Sequence, residues 1–140
     1  MKSLKVVLLW IWQLPQNLIG LFLVLITGAR KDAIYTHGQW SNYYVAKRFE
    51  GKWGVCLGEY IVFGNDSMSL ILQNNQHELG HRKQSRYLGV LYLLIIGIPS
   101  AVGNIIDQVF HKDWNFRKRI EWYYNLPWEK SADKLGGVLR

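Results

Sequence analysis

Two long apolar stretches, Leu4–Ile26 and Tyr87–Ile106, dominate this 140-residue chain, and each is interrupted near its middle. A helix needs about twenty apolar residues to cross a bilayer, and Val6–Ile26 meets that length. The interruptions govern how such segments can be used. Gln13-Leu14-Pro15-Gln16-Asn17 removes an amide donor at Pro15 and adds polar groups that protein or water must satisfy, which predicts two helical pieces. They form either a broken span or a helix lying at the interface, with Trp10 and Trp12 suited to the headgroup level. Gly97-Ile98-Pro99-Ser100 divides the second stretch in a similar way. The averages conceal this patterning: 49% hydrophobic residues would fit an ordinary soluble domain. The distribution instead points to a membrane-associated protein. It excludes a disordered tail, a collagen-like repeat and a disulfide scaffold.

Seventeen Lys and Arg against ten Asp and Glu give a net charge of +7. The bases border the apolar stretches: Lys2 and Lys5, Arg30 and Lys31, then Arg82, Lys83 and Arg86, then Arg117, Lys118 and Arg119. Cations in those places meet anionic lipid head groups or set topology. A single-stranded nucleic acid would leave the apolar stretches without a role, so no nucleic-acid partner is expected. Lys2–Ala29 has the basic start and small-residue site of a signal peptide, but its polar interruption favours a retained segment. The single Cys56 permits neither an internal disulfide nor a cysteine-rich metal site, and reads as a packed thiol.

Between these landmarks, Gly28–Gly51 is polar and aromatic and reads as a weakly structured loop that includes His37. Residues 53–63 are rich in strand formers, with Glu59–Phe63 a candidate substrate-binding edge. Gly64-Asn65-Asp66-Ser67 signals a turn, with Asp66 or Ser67 able to cap a helix. A helix is expected over 68–97, running into the apolar stretch. Asp107–Trp128 is polar again, and a short helix is expected over 128–136.

His77-Glu78-Leu79-Gly80-His81 is an H-E-x-x-H sequence. Residues four apart share a helix face, so His77 and His81 can present imidazoles to one ion, with Glu78 beside them as a general base. With four His and five Glu in the chain, chance produces the pattern in roughly 0.3% of shuffled sequences. A catalytic zinc needs a third protein ligand and an open position where water can lose a proton near neutral pH. Glu129-Lys130-Ser131-Ala132-Asp133 supplies candidates: Glu129 as the carboxylate ligand, and Asp133, one turn later, to accept a hydrogen bond from a ligating imidazole. Tyr123, Tyr124 and His111 are available for a developing oxyanion, without an assignment among them. Gln84 and Leu88 follow the histidines along one face, as helix packing would place them.

The H-E-x-x-H and E-x-x-A-D pair resembles the gluzincin metallopeptidases, in particular the membrane-embedded branch of CAAX prenyl proteases and bacterial heat-shock membrane proteases. The likeness covers mainly residues 70–86 and 128–136, and the chain looks like a minimal bacterial member. It is also similar to small bacterial membrane proteins in which H-E-x-G-H is followed by Gln-Ser, as at Gln84-Ser85. Carried over, the resemblance implies Zn2+ held by His77, His81 and Glu129, Glu78 as base, Asp133 as orienter and a peptide or membrane-protein substrate.

If His77, His81 and Glu129 bind one metal, both ends of Tyr87–Ile106 lie on one side of the membrane. Asp107–Trp128 is too polar to cross back through lipid. The expectation is a shallow hairpin folded at Gly97–Ser100, over residues 87–106. Its basic flanks would face the cytoplasm by the positive-inside tendency. The resulting expectation is one domain over 1–140, mostly α with a small β element, carrying a zincin-like active-site helix and membrane-inserted segments that include 4–26. Its function is that of a membrane-associated zinc metallopeptidase, with lipid and a peptide as partners. The alternative is a non-catalytic membrane binding or scaffold module.

Overall fold

The computed structural model describes residues 2–36, 38–65 and 68–140. His37 and the cap residues Asp66 and Ser67 lie outside them. The chain is mostly helical with one four-stranded sheet, as expected. Helices α1 (Lys2–Trp12) and α2 (Leu14–Thr27) meet at a 94° bend, so the first apolar stretch is broken where Pro15 predicts. Gln13, Gln16 and Asn17 are fully buried, and protein partners satisfy their donors. Gln13 donates to the Glu59 carboxylate and accepts from Ser85, while Gln16 donates to Ser85 and to the Gly89 carbonyl. The polar interruption is therefore the joint that fastens the N-terminal helices to the rest of the domain.

Four strands follow: β1 (Arg30–Thr36), β2 (Gln39–Glu50), β3 (Gly54–Leu57) and β4 (Tyr60–Asn65). They lie in the order β1-β2-β4-β3, as two antiparallel hairpins joined by a parallel β2/β4 pair. Two expectations are corrected here. Gly28–Gly51 is not a loop but chiefly the β1/β2 hairpin; its strands are held by pairing, and β1, at a polar edge, is exposed over its first four residues and alternates in burial only at Ile34, Tyr35 and Thr36. The sheet edges are β1 and β3 rather than Glu59–Phe63, because β4 is paired on both sides. Cys56 is a buried thiol in β3, as expected.

Helix α3 (Met68–Leu88) packs on this sheet, and Tyr43, Cys56, Ile61, Phe63, Ile71 and Leu79 form the shared core. It ends at Gly89, whose φ of +54° favours glycine and where a Cβ would strike the Trp12 ring. A short 3-10 turn (Gly89–Leu91) leads into a wider π turn (Leu93–Gly97) that continues as α4 (Ile98–Phe110). Leu93–Phe110 is thus one helix, long and apolar enough to cross a membrane.

The fold predicted at Gly97–Ser100 does not occur. Gly97 is helical, and the π turn loosens the ladder just ahead of Pro99, which sits in the first turn of α4. The chain turns at Gly89 and again at 111–115. Helix α5 (Phe116–Tyr124) then packs back on α4, held by the Arg119–Asp107 ion pair at 2.6 Å. Helix α6 (Pro127–Gly136) completes the domain against α3.

Exposed apolar side chains concentrate on the two stretches. Along α1 they face most directions; along α2 they keep to the side away from buried Gln16, Asn17, Gly20 and Thr27, and along Leu93–Phe110 they form one stripe through Leu94, Ile98, Val102, Ile105 and Val109. The other side of α4 carries Ser100 and Asp107, which are bonded to α6 and α5.

Candidate metal centre

The 3.6-residue helical period places His77 and His81 on one face of α3. Crossing this face is α6, and the crossing is close because Gly80 has no side chain: a Cβ there would collide with the Ala132 carbonyl. Gly136 meets the Gln76 carbonyl of α3 in the same manner. Glu129, on the first turn of α6, is thereby carried between the imidazoles and is fully buried.

The three donors converge. Glu129 Oε2 lies 3.0 Å from His77 Nε2 and 3.2 Å from His81 Nε2, and the two imidazole nitrogens are 3.1 Å apart. A tetrahedral zinc at about 2.0–2.1 Å from each donor separates the donors by roughly 3.3 Å. The observed triangle is thus close to the size that such an ion requires.

The outer nitrogens explain the orientation of the rings. His77 Nδ1 is 2.7 Å from Asp133 Oδ1, and His81 Nδ1 is 2.7 Å from Gln84 Oε1. Gln84 in turn donates its amide to the Trp128 carbonyl, which leaves its oxygen to face the imidazole. Both Nδ1 atoms must therefore donate, and both Nε2 atoms are left as lone pairs pointing at a carboxylate. Three acceptors within 3.2 Å of one another are reconciled only by a cation or a shared proton. Buried His77, His81 and Glu129 are thus a group that could hold a metal ion.

Charge leads to the same conclusion. Glu78, Glu129 and Asp133 are all buried, and the only guanidinium bonded to any of them among the described residues is Arg140, on Asp133 at 2.6 Å. The acids outnumber the one guanidinium, and Glu129 and Asp133 are both held below their usual pKa range, so the site favours a bound cation. Glu78 is buried with Oε2 unpartnered, and burial raises its pKa.

Without a metal, the same acceptors attract a proton. Burial alone would lower the His77 pKa, but hydrogen bonds from its ring to the Asp133 and Glu129 carboxylates outweigh it and raise the value to about 9. The Asp133 carboxyl is held below its usual range, because its bonds to His77 and Arg140 outweigh the effect of burial.

Sequence reasoning placed these five residues, and the structure brings them together: His77, His81 and Glu129 as a triangle, Glu78 beside it and Asp133 behind His77. It missed Ser100 and did not assign Tyr123 and Gln84 the roles they have here. Ser100 and Tyr123 both donate to Glu129 Oε1, fixing the far oxygen of that carboxylate. Ser100 was visible as a polar residue in an apolar stretch. Gln84 orients His81, and its spacing of three from that residue was the available signal. His111 lies away from the site, stacked on Trp114 at 3.8 Å in the turn between α4 and α5.

The centre opens into a cleft of about 630 Å³, bordered by edge strand β3 on one side and by α4 on the other, from Ser100 to Gln108. Glu78 and Tyr124 line it, and the Tyr124 ring meets His77 edge to face at 5.1 Å. No family model, curated protein or solved structure matches this chain.

Proposed function

We propose that this chain is a membrane-seated zinc metallopeptidase of the gluzincin kind. The observation that carries the reading is the convergence of three buried acceptors, with both imidazoles locked from behind, at the head of an open cleft. The donor set of two imidazoles and one carboxylate is characteristic of catalytic zinc with an open position. When bound there, zinc would lower the pKa of water and polarise a substrate carbonyl.

The chain's own residues account for the remaining steps. Edge strand β3 offers unpaired backbone groups to an extended peptide, which would lie across the cleft as an added strand. Glu78 accepts the proton of the attacking water and returns it to the leaving amine. Burial raises its pKa, which favours its holding the proton between the two transfers. Asp133 and Gln84 hold the imidazoles against rotation as charge shifts. Tyr123 is committed to Glu129, so Tyr124 is the phenol available to the developing oxyanion.

Seating in the membrane is supported by the exposed apolar surface of α1 and α2 and by the stripe on α4. Polar α5 packs along the opposite side of α4, so lipid meets that helix on one side only. The cleft then opens at the bilayer surface, on the cytoplasmic side by the distribution of bases.

The test is metal content combined with hydrolysis. Purified protein should hold about one zinc per chain, lost in His77→Ala and His81→Ala. Glu78→Gln should retain zinc and lose cleavage of a peptide library. A zinc-loaded Glu78→Gln protein that cleaves as the parent does would eliminate this mechanism. A protein that binds zinc while neither form cleaves anything would favour a binding module.

A further inference from the structure

A second cavity, of about 370 Å³, lies on the other side of the domain, between α1 and the β1/β2/β4 part of the sheet. Its walls are of two kinds. Val6, Leu9 and Trp10 of α1 form an apolar wall that continues into the exposed surface of that helix. Tyr44 and Tyr60 lie on the sheet with their rings tilted and 5.6 Å apart, and Trp40 stands 71% exposed at the rim. Among these lie Lys31, Arg82 and Arg86, with Glu59 as the only acid in the lining.

The charges do not balance. Arg86 makes a two-pronged pair with Glu59, Nε to Oε1 at 2.8 Å and Nη2 to Oε2 at 2.7 Å, which occupies that carboxylate. Arg82 is only 9% exposed and gives Nη2 to the Asn42 and Glu59 carbonyls, while its Nε has no hydrogen-bond partner. Its nearest acid is Glu59 Oε2 at 3.8 Å, already held by Arg86. Three cations against one carboxylate leave two positive charges in the lining. A lining with this excess of positive charge favours an anion entering from outside.

We propose that this cavity binds the headgroup of an anionic phospholipid, its phosphate against Arg82 and Lys31 and its acyl chains along Val6 and Leu9 of α1. The combination distinguishes this ligand from a soluble anion. Phosphate alone would use the cations and leave the apolar wall and the aromatic rim in water. A phospholipid matches the cations, the aromatic belt and the apolar helix in the order in which a bilayer presents them. The inference rests on the membrane seating proposed above and is independent of the metal centre.

The experiment reconstitutes full-length protein in nanodiscs of phosphatidylcholine with and without phosphatidylglycerol, and measures retained lipid by native mass spectrometry after extraction into detergent. The parent protein should retain phosphatidylglycerol in preference to phosphatidylcholine. Lys31→Glu should lower that retention by about tenfold, whereas Lys112→Glu, with the same charge change in the distant α4–α5 turn, should not. Arg82→Lys, which keeps the charge but loses the free Nε donor, should fall between them. The circular dichroism spectrum and melting temperature should be unchanged in Lys31→Glu, which confirms that the fold is intact.

Equal loss from Lys31→Glu and Lys112→Glu would reduce the effect to general surface charge and overturn the site. Displacement of the lipid by millimolar inorganic phosphate would reassign it to a soluble anion. Incorporation into pure phosphatidylcholine discs reports on membrane seating separately, so failure of that reading is distinguishable from failure of the headgroup site.

Discussion

Gly80→Ala touches no ligand, yet it should dismantle the metal centre. The added Cβ meets the Ala132 carbonyl of α6 at an impossible separation, with only backbone to yield. Ordinary C···O contact needs about 3.3 Å, so α3 and α6 must part by roughly an ångström or more. Glu129 lies three residues from Ala132 on the same helix and moves with it. Metal–ligand distances tolerate only about 0.2 Å. Relaxation therefore leaves a two-histidine site, and zinc affinity should fall by about 100-fold or more, roughly 3 kcal/mol. Overpacking should cost the metal-free fold a further 1–3 kcal/mol or so. The assay is competition with a chromophoric chelator, alongside circular dichroism of the metal-free variant to establish that α3 and α6 are still formed. Gly136→Ala, which presses on the Gln76 carbonyl from the other side of the same crossing, should act alike. A folded Gly80→Ala protein with zinc affinity within about threefold of the parent would refute the claim that this close crossing builds the site.

Asp133→Asn should keep the shape of its contact with His77 but weaken zinc binding by about 10–100-fold, read by the same competition. Gln16→Leu leaves the Ser85 hydroxyl and the Gly89 carbonyl without a buried donor. It should cost about 1–3 kcal/mol in thermal unfolding, and an unchanged midpoint would mean that α1 and α2 are not docked as described. The pH dependence of the metal-free protein has a definite sign. The His77 pKa is raised from 6.5 to about 9 in the folded state, so its contribution is complete below 6.5 and is lost as pH rises through 9. Zinc requires the unprotonated ring, so the gap in melting temperature between zinc-loaded and metal-free protein should widen as pH rises; a constant gap from pH 6 to 9 would contradict it.

The candidate metal ligands were legible because their signal is local on each segment. Four-residue spacing sets His77 and His81 on one helix face whatever the helix packs against, and Glu129 and Asp133 share a face for the same reason. Pro15 likewise marks a helix break by its own covalent geometry. The β1/β2 hairpin was not legible, since Lys31, Asp32 and Asn42 interrupt the apolar pattern and only pairing holds those strands extended. Nor was the route of the second apolar stretch. Gly97 and Pro99 are permissive of a bend, but a π turn absorbs the missing amide there, and Gly89 turns the chain because Trp12 packs against it.

Residue types and spacings thus determined which groups could serve a metal, since helical periodicity alone brings side chains four apart together. Tertiary structure decided that they meet. The close α3–α6 crossing at Gly80 and Gly136, the hydroxyls of Ser100 and Tyr123 on Glu129, and the amide of Gln84 behind His81 all depend on residues far apart in the chain. The same holds for the Arg82 cavity, whose lining joins Lys31 of a strand to Arg82 and Arg86 of a helix around one acid. Contacts of that kind arise only from packing, which no local pattern encodes.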